Sequence, residues 1–142
     1  MSTGRGYISV IIRARDEARH IGQALAAIRA QAYEPGCEVL VVDCESRDGT
    51  ASIARQYGAS VVSMARSQFT FGRALNLAAS QARGDYLVPL SADATPQGPE
   101  FLARLVAPLG DARVAATYSR QVPRPDCCPS EARDLAEWYP AT

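Results

Sequence analysis

The segment Tyr86-Leu-Val-Pro-Leu-Ser-Ala-Asp93 joins a short apolar run to a carboxylate, and Ala94-Thr95-Pro96 follows it. The run over residues 86–90 has the length and composition of a buried strand. Open α/β sheets bind ligands beyond the carboxyl ends of their strands, which is where Asp93 would lie. One carboxylate at such a place suits a hard divalent cation that also binds phosphate oxygens. The segment therefore indicates diphosphate chemistry rather than hydride or acyl transfer.

Apolar runs and helical patterns alternate along the rest of the chain, and most of the runs read as strands buried on both faces. The expected strands cover residues 7–12, 37–43, 60–64, 86–90 and 113–119. A first helix is expected to be capped by Asp16 and to carry an apolar stripe as far as Ala32. Further helices are expected around residues 54–57, 72–82 and 99–107. This order predicts an α/β fold with a mostly parallel, doubly wound sheet and helices on both faces.

Length and composition indicate one domain. The chain has 142 residues, of which 47% are hydrophobic, and this suffices for a single core. We expect the domain over residues 1–119 and a Pro-rich segment with a short helix over residues 120–142. The formal net charge of zero argues against a nucleic-acid partner. The apolar runs are too short for a membrane span, and no signal-peptide pattern precedes the first strand, so we expect a cytoplasmic protein.

The polar composition excludes several kinds of catalytic site. All fifteen basic residues are arginines, so a Walker-type lysine, a Schiff base and a Ser-Lys dyad are excluded. The one histidine, His20, falls in the first expected helix, where a solvated role is favoured over catalysis. The four cysteines form no Cys-x-x-Cys pair, which argues against a zinc site and favours reduced thiols.

The turn after the first strand, Arg13-Ala14-Arg15-Asp16-Glu17, lacks the Gly-x-Gly-x-x-Gly pattern of dinucleotide-binding folds. Arginine at a strand end forks onto phosphate oxygens or stacks on a base, so Arg13 and Arg15 are candidate ligand-binding residues. Glu17 is a third candidate. The alternative is a solvated turn in which Arg15 and Glu17 pair on the surface.

Other candidates lie at later strand and helix ends. The carboxylate of Asp43 can accept a hydrogen bond from a ribose hydroxyl or a base N–H; alternatively it caps Ser46 or the next helix. Arg73 opens a helix, where backbone N–H groups and a guanidinium favour an anion. Asp93 is the candidate metal ligand, and its affinity for an ion depends on the diphosphate of the substrate. Asp48 is explained by a tight turn and an N-cap.

The sequence resembles family 2 glycosyltransferases of the GT-A fold in four blocks that occur in the right order. The blocks are Ile8-Ser-Val-Ile-Ile-Arg-Ala-Arg-Asp-Glu17, Glu38-Val-Leu-Val-Val-Asp-Cys-Glu-Ser-Arg-Asp-Gly-Thr50, Phe71-Gly-Arg-Ala-Leu-Asn76 and Arg83-Gly-Asp-Tyr-Leu-Val-Pro-Leu-Ser-Ala-Asp93. The tail, Tyr118-Ser-Arg-Gln-Val-Pro-Arg-Pro-Asp126 with Tyr139-Pro140, resembles the bacterial rhamnosyltransferase-like branch.

The resemblance implies an enzyme that binds a nucleotide-diphosphate sugar donor together with a divalent metal, Mg²⁺ or Mn²⁺. The sugar would pass to a hydroxyl of an acceptor, a saccharide or a lipid-linked glycan. By position, the donor-binding residues would be Arg13, Ala14, Arg15, Glu17, Asp43, Arg73 and Asp93. Asp93 matches the last acid of the family's Asp-x-Asp-type motif, which meets the metal and the diphosphate.

The sequence departs from the family pattern at three places. Ser91 stands where the first acid of that motif is expected, so we expect a weaker metal site. Cys44 stands where many members carry an acid that contacts uracil. No residue matches the catalytic base, which family members carry in an acceptor-binding half that we expect this chain to lack.

Two other functions stay open at this point. One is a non-catalytic nucleotide-sugar binding or assembly module. The other is a nucleotidyltransferase, against which the missing Gly-rich loop counts. A shortened domain would also expose apolar surface, so we expect self-association through the segment around Trp138 and Tyr139.

Overall fold

The computed structural model describes residues 6–140, in which a sheet of four parallel strands forms the centre. The strands are β1 (Ile8–Ala14), β2 (Cys37–Asp43), β3 (Ser60–Ser63) and β4 (Tyr86–Ser91), and they lie in the order β3-β2-β1-β4. The helices described are α1 (Ile21–Arg29), α2 (Thr50–Gln56), α3 (Phe71–Ala79), α4 (Phe101–Val106) and α5 (Pro129–Trp138). Residues 1–5 and 141–142, which belong to the expected 1–119 and 120–142 ranges, lie outside the described part. The predicted α/β class with a parallel sheet is confirmed.

Helices cover both faces of the sheet, because β1 and β2 are apolar on both sides. One core joins Val10, Ile12 and Val41 to side chains of α1, α2 and α4. A second core joins Ile11 and Val42 to the small residues of α3. Successive strand residues alternate between these cores, as the period of a strand requires.

The expected fifth strand over residues 113–119 is wrong. Arg113 ends a short turn, and residues 114–119 form no strand. Ala115, Ala116 and Tyr118 are exposed, so this segment has little apolar surface to bury against the sheet. Thr117 Oγ1 instead donates a hydrogen bond to the Leu105 carbonyl at 2.6 Å, which fastens the segment to α4.

The expected start of the first helix is also wrong. α1 begins at Ile21 rather than after Asp16, and Asp16 has a left-handed backbone with φ of 54°. The Asp16 carboxylate accepts a hydrogen bond from the Arg47 backbone N–H at 2.8 Å, so it bonds to a distant loop and not to its own helix. The apolar stripe itself is present, with Ile21, Leu25 and Ile28 buried.

A polar cluster lies at the end of the sheet where the strands begin. The buried Ser9 hydroxyl donates to Glu38 Oε1 at 2.7 Å and accepts from the Gly84 backbone N–H at 2.8 Å. Glu38 also forms an ion pair with Arg83, in which Glu38 Oε2 lies 2.8 Å from Arg83 Nη2. A Cβ on Gly84 would lie 2.4 Å from the Ser9 backbone nitrogen, so glycine is required for this close approach. The cluster therefore fixes how β4 enters beside β1.

Within residues 6–140, β4 is the outermost strand on one side of the sheet, and it is poorly suited to pair with a further strand. Parallel strands direct the backbone groups of alternate residues to opposite neighbours, and β1 lies on one side only. Pro89 in the middle of β4 has no N–H to offer, which is tolerated at an edge. Leu87 on the same strand is nearly half exposed. This edge therefore presents apolar surface with an interrupted row of hydrogen-bond donors.

Candidate functional site

The strand register places four candidate residues at the carboxyl edge of the sheet, the side on which all four parallel strands end. Ala14 pairs with Asp43 across β1 and β2, and Arg13 pairs with Ser91 across β1 and β4. Asp93 follows Ser91 by two residues, in the turn after β4. The parallel strands β1, β2 and β4 thus bring residues that are far apart in sequence to the same edge.

Arg13 and Asp43 leave this edge on different faces of the sheet. Asp43 pairs with Ala14, which belongs to the core under α1 and α2, and Arg13 has the opposite parity. The Arg13 guanidinium lies 4.4 Å from the centroid of the Phe71 ring, at the start of α3. Phe69 meets Phe71 edge to face with centroids 5.5 Å apart. The edge therefore has an arginine–aromatic side and an acidic side.

The loops after β1 and β2 are bonded to each other through side chains. Asp16 N donates to Ser46 Oγ at 2.9 Å, and Ala18 N donates to Asp48 Oδ2 at 2.9 Å. Glu17 N donates to the buried Thr50 Oγ1 at 2.8 Å. Asp48 also accepts from the Thr50 backbone at 3.0 Å, in line with the structural role predicted for it. These bonds hold the first turn, with Arg15 and Glu17, rigidly beside the second.

Two acidic residues at this edge adopt a backbone conformation that side chains rarely take. Asp16 and Glu45 both have φ of 54°. Each is held by a non-local bond: the Asp16 carboxylate by Arg47 N, and Glu45 Oε2 by Arg66 N at 3.2 Å. A residue keeps this backbone conformation only where surrounding contacts hold it, and such residues cluster at functional sites.

Asp43 is the most unusual polar group of the edge. It is 7% exposed, and its Oδ2 accepts from the Ser46 backbone N–H at 3.3 Å, which is the capping alternative considered for it. Its Oδ1 is buried without a hydrogen-bond partner among the described residues. A buried carboxylate oxygen without a partner has lost its hydration, and no hydrogen bond within the protein compensates for that loss. The structure thus leaves one buried acceptor without a partner among the described residues, beside the ends of the first two strands.

The next residue, Cys44, is a poor replacement for an acid. It is 2% exposed, and burial together with the Asp43 charge raises the pKa of the thiol above its ordinary value. A neutral buried thiol accepts hydrogen bonds weakly. All four cysteines are free thiols in this structure.

Glu17 and His20 form a pair that the sequence did not predict. His20 Nδ1 lies 3.6 Å from Glu17 Oε2, and His20 precedes α1 instead of lying inside a helix. Arg15 approaches Asp16 at 4.0 Å, so the Arg15–Glu17 surface pair considered as the alternative is not the one formed. Glu17 is therefore oriented by a neighbour that belongs to the start of α1.

Arg73 lies in the first turn of α3 and is exposed. Its backbone N–H donates to the Thr70 side chain at 3.1 Å, so Thr70 caps the helix. The Arg73 guanidinium has no hydrogen bond or ion pair within residues 6–140 and is open to an anion.

Asp93 is exposed in the turn after β4, and its carboxylate has no partner within the described range. Gln31, two residues after α1, holds the loop that follows and the start of α4: its side chain donates to the Gly98 carbonyl and accepts from Leu102 N. Arg124 donates to the Asp93 backbone carbonyl at 3.2 Å. Sequence reasoning missed Arg124, although it lies in a tail block that carried the family resemblance.

A resident metal ion does not match this donor set. Within residues 6–140 no three His, Cys, Asp or Glu side chains gather as a metal site. One open carboxylate fits an ion that arrives with additional phosphate oxygens, since Mg²⁺ is commonly bound by one or two carboxylates plus substrate phosphates.

The described helices include none that is long and apolar enough to cross a membrane.

Comparison with known sequences identifies the family. A family model described as glycosyl transferase family 2 matches residues 9–139. O-antigen chain rhamnosyltransferase WbaN of Salmonella anatum is 31% identical over 104 residues, which cover 72% of this chain and 33% of WbaN. Glycosyltransferase AglE of Haloferax volcanii is 35% identical over 101 residues, which cover 68% of this chain and 33% of AglE. The chain thus spans about a third of the length of these relatives.

Comparison with solved structures gives the same answer for the fold. The mannosyltransferase PcManGT from Pyrobaculum calidifontis, in complex with GDP-Man and Mn²⁺, superposes with a TM-score of 0.69 at 31% identity, over 78% of this chain and 34% of that one. Glucosyl-3-phosphoglycerate synthase from Mycobacterium tuberculosis, bound to Mn²⁺, UDP and glucosyl-3-phosphoglycerate, superposes with a TM-score of 0.60 at 31% identity, over 73% and 39%. The GT-A architecture expected from the sequence is confirmed, and the chain belongs to glycosyl transferase family 2.

Proposed function

We propose that this chain is the donor-binding part of a glycosyltransferase. It would bind a nucleotide-diphosphate sugar at the carboxyl edge of the sheet, for transfer of the sugar to an acceptor hydroxyl of a saccharide or lipid-linked glycan. The observation that carries this proposal is the buried, unpartnered Oδ1 of Asp43 at that edge. A ribose hydroxyl or a base N–H would supply the missing hydrogen bond and recover part of the lost solvation.

The remaining candidates divide between the two ends of the donor. Arg13 and Ala14 end β1, and Arg15 and Glu17 belong to the turn that follows, which the bonds to Ser46, Asp48 and Thr50 hold beside the turn after β2. A turn held in this way is preorganised, so little ordering entropy is lost when a nucleoside binds. Arg73 and Asp93 would contact the diphosphate.

Asp93 would hold the Mg²⁺ or Mn²⁺ that accompanies the donor, because its carboxylate is exposed and uncommitted. Such an ion offsets the charge that develops on a leaving nucleoside diphosphate. The residues of this chain would orient the donor and keep its diphosphate at the edge. PcManGT with GDP-Man and Mn²⁺ and the synthase with UDP and Mn²⁺ support a donor of this class.

A calorimetric titration with UDP, dTDP and GDP sugars, each with and without Mn²⁺, tests the proposal. We expect one base to bind most tightly, and the affinity to rise with Mn²⁺. Asp93→Ala should remove the metal dependence. Asp111→Ala, at an exposed aspartate that pairs with Arg113, is the matched control and should leave it unchanged. If no donor binds at millimolar concentration, the proposal is wrong.

Release of nucleoside diphosphate from the bound donor separates two readings of the same site. Slow release that is lost in Asp93→Ala supports the enzyme. Tight binding without any release, with or without candidate acceptors, supports the non-catalytic module.

A further inference from the structure

The C-terminal segment reaches back to the candidate metal ligand through one arginine. Arg124 Nη1 donates to the Asp93 carbonyl, which lies 31 residues earlier, at 3.2 Å. The same guanidinium lies 3.5 Å from the Asp126 carboxylate. The Arg124 side chain is 35% exposed, the lowest exposure among the arginines of the ion pairs described. It is therefore held in place and still accessible to a ligand.

Asp126 is shared between two cationic groups. Its second oxygen lies 3.5 Å from Arg19 Nη2, in the turn before α1. One carboxylate thus faces two guanidinium groups and is divided between them. These three side chains, with His20 and Gln23, line a cleft of about 360 Å³. Guanidinium groups beside a cleft can bind an anion that offers several oxygens.

The contacts of Arg124 with Asp126 are weak enough to be exchanged. Both side chains are solvated, and an exposed ion pair at this separation contributes little. A diphosphate carries more charge than one carboxylate and presents oxygens that match the planar fork of arginine. If a diphosphate lies beside Asp93, its oxygens are the better partner for Arg124.

We propose that Arg124 binds the diphosphate of the donor, and that Asp126 holds the guanidinium in the ligand-free protein. This inference rests on the proposed function, because it needs a donor at the carboxyl edge. When the donor binds, phosphate oxygens replace the Asp126 carboxylate while the hydrogen bond to the Asp93 carbonyl keeps the guanidinium near the metal ligand. Arg124 would then be a specificity residue for the diphosphate, supplied by the Pro-rich segment.

Opposite effects of two neighbouring substitutions test this. Dissociation constants are measured by calorimetry for the tightest donor of the panel and for its nucleoside without phosphates. Arg124→Gln should weaken donor binding about tenfold, as expected for a lost hydrogen bond to a charged group, and should leave nucleoside binding unchanged. Asp126→Asn removes the competing carboxylate, so donor binding should stay the same or tighten by about threefold. Arg124→Lys, which keeps the charge without the fork, should be intermediate.

Arg120→Gln is the matched control, because Arg120 lies in the same segment but donates to the Tyr139 carbonyl at 3.0 Å. It should bind the donor like the wild type. The inference is wrong if Arg124→Gln binds the donor normally, if nucleoside binding falls in parallel, or if Asp126→Asn weakens binding as Arg124→Gln does. Absence of donor binding by the wild type overturns the proposed function as well, whereas a normal wild type with an unaffected Arg124→Gln overturns this inference alone.

Discussion

The Arg13 guanidinium lies 4.4 Å from the centroid of the Phe71 ring, so the end of β1 is joined to the start of α3 at the carboxyl edge. The contact leaves Phe71 68% exposed, which means that the ring contributes little to the core. A ring in this position orients the arginine and leaves stability to other residues.

Phe71→Ala should therefore weaken donor binding more than folding. We expect about 0.5–1 kcal/mol of lost binding free energy, the range of an exposed cation–π contact, because Arg13 loses its support. Calorimetry gives the binding change, and urea denaturation gives the free energy of unfolding. Phe71→Leu keeps apolar bulk without the ring and should bind as weakly as Phe71→Ala. Equal binding by wild type and Phe71→Leu would show that the ring is not needed.

Asp43→Asn should separate stability from binding. The substitution removes a buried charge whose Oδ1 has no partner among the described residues, so the ligand-free protein should become more stable, by about 1 kcal/mol. Donor affinity should fall at the same time, because the amide presents a different pattern of donors and acceptors. Urea denaturation and calorimetry on the same samples check both changes. A loss of stability would mean that the carboxylate is satisfied in the folded protein.

Thr50→Val should loosen the two loops at the carboxyl edge. The buried hydroxyl accepts from Glu17 N and donates to Asp48, and valine has the same shape without it. We expect a loss of about 1–3 kcal/mol in the free energy of unfolding, because the Glu17 N–H is left without its partner. Thr50→Ser keeps the hydroxyl and should retain most of the stability. Amide hydrogen exchange at Glu17 should speed up in Thr50→Val alone.

Glu38 should make stability depend on pH in the acid range. Burial raises the pKa of its carboxyl, but the hydrogen bonds from Ser9 and Arg83 and the Arg83 charge outweigh it and hold the pKa below the ordinary value of 4.5. A lowered pKa means that the stabilisation is fully present above pH 4.5 and is lost as the pH falls through the pKa of the folded state.

Glu38→Gln should therefore destabilise the protein by about 1 kcal/mol at pH 7, since its main ion-pair partner is solvated. The difference from the wild type should shrink steadily below pH 4.5. Urea denaturation from pH 3 to 7 measures it. Glu34→Gln, at an exposed glutamate on the preceding turn, should follow the wild type at every pH. A pH-independent difference for Glu38→Gln would contradict the predicted linkage.

Self-association through the last helix stays a prediction. Trp138 at the end of α5 is 69% exposed, and large exposed apolar side chains favour contact with a partner. Light scattering at high concentration should show a species heavier than the monomer, and Trp138→Glu should reduce it. Leu87→Glu on the edge strand tests whether β4 contributes as well. A monomeric wild type would rule out this prediction.

The first four strands could be predicted because their signal is local. A run such as 37–43 is apolar on both faces, which is typical of a buried strand of a parallel sheet. The run over 113–119 carries a similar but weaker signal, and it failed because its side chains bury too little surface. The Asp16 cap failed for another reason, since a residue 31 positions away, Arg47, competes for its carboxylate.

The sequence predicted which residues belong to the candidate site, but not how their side chains are arranged in space. Asp43 and Asp93 follow strands, so the general rule for open α/β sheets marks them from sequence. The faces of the sheet to which Arg13 and Asp43 point depend on the register between β1 and β2. That register is set by the pairing of the two strands and cannot be read from either segment alone. Arg124 carries no local signal at all, because its contact with Asp93 depends on how the last segment folds back.

The sequence by itself determined the α/β class, the parallel order of strands and helices, and the acids at the strand ends, since hydrophobic period and strand length are properties of short segments. The tertiary structure alone decided which oxygen of Asp43 is left without a partner, which ring supports Arg13, and which arginine reaches Asp93. These are contacts between residues distant in the chain. They exist only once the crossovers have brought the strand ends to one edge, and no local pattern encodes them.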